Sequence, residues 1–184
     1  MAIRIAAATL LGGFLMFAWL SIAHMSPLGE IGISLLPREY LITSTLEAGA
    51  GNSGGLYIFP ASPEANAEVP SGFMVFYSDN IYFGGMGGRI ALEFFKDVFQ
   101  TFVLAILIAW AGLSGFVPRL GFAFAAGLLA GMTTNFSLVI WYGFPFSYAL
   151  GSASVTAIGY LAAGVGIGLL LPKSVAPRRG EGEA

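Results

Sequence analysis

Four stretches of about twenty residues contain no Asp, Glu, Lys, Arg or His: residues 5–23, 98–117, 120–142 and 148–171. Few folds can accept so much uninterrupted apolar sequence. The hydrocarbon core of a bilayer takes about 20 apolar residues per helix. Unpaired backbone amides are costly there, so each stretch is expected to be a helix. A barrel would need many strands of alternating polarity, and the sequence has none of that pattern. Charged residues make up 10% of the chain, against roughly 25% in an ordinary soluble domain. The fold class expected is therefore an all-α membrane protein: a four-transmembrane-helix bundle, with a small α+β extracytoplasmic insertion between helices 1 and 2.

The basic residues orient the bundle. Arg4, Arg119, Lys173, Arg178 and Arg179 fall on one side, close to the ends of the spans. Arg38, Arg89 and Lys96 fall on the other, diluted in a segment (residues 24–97) that also holds eight of the ten acids and so carries a net charge of −5. The positive-inside rule puts the first group in the cytoplasm. Both termini, including a tail at 172–184, are then cytoplasmic, and residues 24–97 lie outside. A competing reading makes residues 1–23 a cleaved signal peptide ending at Ser21-Ile22-Ala23. The apolar run is longer than the usual h-region, and Phe17 and Trp19 crowd the cleavage site. With a net charge of −2, the chain offers no basic surface for nucleic acid. Without cysteine, it has no disulfide, thiolate nucleophile or Cys-ligated metal.

The outer segment divides by its turn residues. Pro37 and Gly49 bracket a helix over 37–48, with Leu41, Ile42, Thr45 and Leu46 as its apolar face. Residues 56–59 and 73–77 read as a β-hairpin with a long connection containing Pro60, Pro63 and Pro70. The glycine run at 84–88 reads as a hinge. Pro118-Arg119 reads as a two-residue turn that forces the second and third spans into a packed antiparallel hairpin. Trp141, Tyr142, Phe144, Phe146 and Tyr148 form an interfacial aromatic belt. Contacts between helices in lipid rest on small residues. Ala123, Gly127 and Gly131 recur every four residues on the third span, as do Gly164 and Gly168 on the fourth, beside Gly159 and Ala163.

Chemistry-bearing residues are few. His24, the single histidine, stands at the outer end of the first span, where it could ligate a haem, a chlorophyll or a metal; no ligand spacing accompanies it. Glu30 and Glu39, with Arg38 beside them, are candidates for an outer functional loop. Thr133, Thr134 and Asn135 are the polar cluster inside the spans, a candidate substrate path or a set of helix–helix hydrogen bonds. The glycine run lacks the Gly-Lys-Ser/Thr of a phosphate loop, and no serine has a nucleophile's context. No ionisable residue falls within an expected span, which argues against a proton-coupled pump.

His24-Met25, Pro27-Leu28-Gly29-Glu30, Gly32, Leu36-Pro37, Glu39, Gly55-Leu56-Tyr57 and Phe59-Pro60 form one pattern, completed by Trp141-Tyr142, Phe144-Pro145 and Tyr148. In these residues the chain resembles a group of small uncharacterised bacterial inner-membrane proteins. The resemblance implies the topology and carries no activity. The function expected from all of this is that of a non-catalytic accessory or structural subunit of a larger membrane complex. Its partners would be the lipid bilayer and other membrane subunits. The alternative is a cofactor-binding or small-molecule-handling protein with an outer site near His24, Glu30 and Glu39. A passive channel lined by Thr133, Thr134 and Asn135 comes third.

Overall fold

In a computed structural model, residues 2–50, 55–59, 72–76 and 85–171 are described. Within them run α1 (Ala2–His24), a short 3-10 turn (Pro27–Glu30), α2 (Glu39–Ala50), β1 (Gly55–Phe59), β2 (Gly72–Phe76), α3 (Gly85–Trp110), α4 (Phe116–Tyr142) and α5 (Phe146–Leu170). The chain is mostly helical, and three helices are long and apolar enough to cross a membrane: Ile3–His24, Phe116–Tyr142 and Phe146–Leu170. The tail at 172–184, Tyr77 and the proline-containing connection of the hairpin lie outside the described residues.

The order of packing follows where backbones can approach. α4 packs most extensively on α5, α5 on α1, and α1 on α3. At the α4–α5 seam, a Cβ added to Gly127 would lie 2.5 Å from Tyr160 Cβ, and one on Gly131 would lie 2.8 Å from Ala153 Cα. On the other side of the seam, Gly164 abuts Ala123 and Gly168 abuts the Phe116 ring. Gly166 of α5 meets the backbone of Gly12 in α1, and Gly13 meets Val98 of α3. Trp19 Nε1 donates to Val155 O at 2.9 Å and ties α1 to α5. The buried core draws on all four long helices through Met16, Leu104, Ala105, Ile108, Ala123, Ala163, Ile167 and Leu171.

Several boundaries depart from the sequence expectation. The second apolar stretch does not run to residue 117. α3 ends at Trp110, where Gly112 takes φ 65° and Leu113 N bonds back to Ile108 O. A left-handed glycine is a common helix terminator. The turn between α3 and α4 is therefore 111–115, and Pro118 sits in the first turn of α4, where its missing N–H has no helical partner to lose. α3 and α4 are also not a packed hairpin. They touch only sparingly, because the small faces of α4 and α1 engage α5 and α3 instead. The glycine run is no hinge from Gly85 on: residues 85–88 form the start of α3. α2 begins at Glu39, because Arg38 adopts φ 56° and its carbonyl accepts from Leu41 N. A left-handed residue cannot continue a helix from Pro37.

β1 and β2 pair antiparallel, Tyr57 opposite Met74. The segment after α1 folds over the ends of α1 and α5. Ser26 Oγ donates to Ala23 O and accepts from Leu28 N, Gly29 lies against His24 O, and Gly32 (φ 78°) lies against the Tyr148 backbone. Ile31 packs on Gly151. Much of the His24–Gly32 pattern thus has a structural reason: it covers the ends of α1 and α5.

Candidate functional site

Asp97, Thr101, Leu104 and Ile108 recur at spacings of four, three and four along α3, and all four are buried. A helix that buries this stripe must carry its first two, polar members inward with the apolar pair. Asp97 is fully buried and Thr101 is 1% exposed. Lys96 Nζ approaches Asp97 Oδ1 at 3.4 Å and also pairs with Glu93. Both Lys96 and Glu93 remain about half exposed. Among the described residues, Asp97 Oδ1 and Oδ2, Gln100 Oε1, Thr101 Oγ1 and Thr9 Oγ1 are buried without a hydrogen-bond partner. The charge-free sequence windows place Asp97 outside the bundle, and the structure reverses this. The signal that could have found it is the 97-101-104-108 spacing, read across the boundary of the charge-free window.

Beside this cluster is a cleft of about 470 Å³ between α3 and α4, floored by Tyr160. Its α3 wall is Phe99, Gln100, Val103, Leu104 and Leu107. Its α4 wall is Ala126, Leu129, Ala130, Thr133 and Thr134. Ala126, Ala130 and Thr134 form a second row of small residues at four-residue spacing, beside the row that faces α5. The cleft exists because α3 and α4 each pack elsewhere.

The residues singled out in the sequence fall in different places. Thr133 and Thr134 line the cleft, and Thr133 Oγ1 donates to Leu129 O at 2.8 Å. Asn135 is buried and donates to Gly131 O within its own helix at 2.8 Å, away from the cleft wall. Ala123, Gly127, Gly131, Gly164 and Gly168 lie in the α4–α5 seam. His24, Glu30, Arg38 and Glu39 are exposed. Among the described residues, no three His, Cys, Asp or Glu side chains converge as a metal site would require. Leu41 and Ile42 are exposed as well.

Arg119 is the other residue that the sequence misplaces. It is not a loop charge: it is 1% exposed, with Nε donating to Leu113 O at 3.0 Å and Nη1 to Leu171 O at 2.7 Å. The guanidinium joins the α3–α4 turn to the C-terminal end of α5, where free carbonyls and the helix dipole favour a cation. Its role is structural.

No protein-family model, curated protein or solved structure matches this chain.

Proposed function

We propose that the chain is a four-span protein of the bacterial inner membrane and a non-catalytic accessory subunit that receives a partner's transmembrane helix in the α3–α4 cleft. In this reading α3 is the fourth span. Its charge-free part, residues 98–110, covers about 20 Å at 1.5 Å per residue, and the preceding turn extends it, with the long side chains of Glu93 and Lys96 reaching toward water. The clustering of Arg4, Lys173, Arg178 and Arg179 near the membrane ends of the sequence supports cytoplasmic termini and an outer segment over 24–97.

The observation that carries the proposal is the unclosed gap itself. Two consecutive helices leave an apolar cleft lined on one side by Ala126, Ala130 and Thr134. Rows of small residues are what a second helix packs on in lipid. Phe99, Leu129 and Val103 stand exposed at its walls. Gentle extraction followed by native mass spectrometry tests it. The expected result is a heteromeric species of fixed stoichiometry that Ala130→Leu disperses while the variant itself stays folded. A lone monomer across mild detergents would contradict it.

One observation favours a second reading, in which the protein handles a small amphiphile. Gln100 Oε1 lines the cleft and accepts no hydrogen bond among the described residues. A single-chain amphiphile with a donating headgroup would satisfy it, with its tail along Val103 and Leu107. Stoichiometric lipid in the purified protein, lost in Gln100→Leu, would support this reading over the first.

A further inference from the structure

The buried polar atoms on the inner face of α3 share one chemistry. Among the described residues, the five without a hydrogen bond are all oxygens, from Asp97, Gln100 and Thr101 of α3 and Thr9 of α1, and of these Asp97 Oδ1 alone has an ion-pair partner, Lys96 Nζ. Three other hydroxyls in the long helices satisfy themselves locally: Thr133, Ser137 and Thr156 each donate to the carbonyl four residues back at 2.8–2.9 Å. Thr9 and Thr101, 6% and 1% exposed, do not. Buried polar groups in native proteins are overwhelmingly partnered, so the four oxygens that have neither a hydrogen bond nor an ion pair need an occupant.

Helix geometry brings three of the four side chains together. Residues three and four apart lie on one face with Cβ atoms about 5–6 Å apart, so Asp97, Gln100 and Thr101 can converge on one point. The Thr101 γ-methyl lies against Gly12, whose own position abuts Ala163 O of α5. The point therefore lies where α1, α3 and α5 meet. Thr9, buried and three residues before Gly12, stands on the same side of α1. The bare glycines at 12 and 13 allow α1 to come this close.

We propose that Asp97, Gln100 and Thr101, flanked by Thr9, bind one sodium ion in the interior of the bundle. Oxygen ligands without imidazole or thiolate select a hard cation. The charge count selects a monovalent one. Glu93, Lys96 and Asp97 sum to −1, and the α1 and α5 residues packed here add no charged group. Calcium takes six to eight oxygens, usually several of them carboxylates, and this site has one buried carboxylate. The site is separate from the cleft, although Gln100 borders both, so it stands whether or not a partner occupies the gap.

The test is thermal unfolding of the full chain in detergent at fixed pH and ionic strength, with NaCl titrated against choline chloride and, separately, KCl. A cation that binds only the folded state raises the midpoint as its concentration passes Kd. A saturable rise with Na⁺, smaller with K⁺ and absent with choline, is expected. Asp97→Asn should remove the sodium response, and Thr101→Val should weaken sodium affinity on the order of tenfold, the effect of losing about one ligand's worth of binding. Thr9→Val should weaken it less. Should Asp97→Asn fail to fold, Thr101→Val and isothermal titration of the unaltered protein with NaCl decide the matter. No sodium-specific shift in the unaltered protein, or an unchanged shift in Thr101→Val and Asp97→Asn, would overturn the proposal.

Discussion

The α4–α5 seam and the two edges of α3 are built on opposite plans within one bundle. At the seam, Gly127, Gly131, Gly164 and Gly168 remove side chains so that the helices meet at van der Waals distance. Around α3, one edge buries Asp97, Thr101 and the oxygens near them against α1, and the other faces α4 across an open cleft. The first region is closed, apolar and complete without help. The second holds polar atoms without partners and apolar side chains without cover. The contrast separates a close-packed seam from the surfaces of α3, which face α1 with buried oxygens and α4 across a gap.

The largest expected effect comes from breaking the closed region. Gly131→Val would place a side chain against the Ala153 backbone, where overpacking costs typically 1–3 kcal/mol and more when backbone must move. Size-exclusion profiles should show aggregated or unfolded protein. Removing the Arg119 clamp at the C-terminal end of α5 comes next. Arg119→Ala deletes two charge-assisted hydrogen bonds and should lower stability by about 2–4 kcal/mol, read as a fall in melting temperature that Arg119→Lys only partly restores.

How much of this contrast the sequence carries depends on whether the signal is local. The apolar stretches and the four-residue spacing of Ala123, Gly127 and Gly131 are properties of one segment and can be read from it. Which helix lies opposite them cannot. Arg119 and Asp97 show the cost of a rule that admits only charge-free windows: it excludes both by construction, whereas their burial depends on Leu171 O, Leu113 O and the packing of α1 on α3. The end of α3 was legible at Gly112, but Pro118 is the louder breaker and draws the boundary too late. Gly12, Gly13 and Gly166 mark the α1 contacts but lack a repeated spacing.

Smaller effects sharpen the comparison. Asn135→Leu removes one buried hydrogen bond to Gly131 O and should cost about 1 kcal/mol, with no effect on anything bound in the cleft. Val103→Trp, at the cleft wall, should change stability by less than about 1 kcal/mol, since it adds to a surface that none of the described residues occupies. It should nevertheless block association with a partner in co-purification. His24→Ala, at an exposed helix end, should leave stability within about 0.5 kcal/mol, checked by the same melting curves.

The most direct test uses the absence of native cysteine. A Cβ on Gly13 would stand 3.2 Å from Val98 Cβ and 2.7 Å from Val98 Cα, so a disulfide, at about 3.8 Å between Cβ atoms, forms there once α1 and α3 ease apart by about half an ångström, whereas Val103 and Ala130 stand on opposite walls of the cleft. Cysteine pairs at 13/98 and 103/130 can be oxidised in native membranes and scored by protection from a thiol-reactive polymer. The account predicts that the 13/98 pair closes and the 103/130 pair stays reduced. Closure at 103/130 with free thiols at 13/98 would make α3 and α4 a packed hairpin and contradict it.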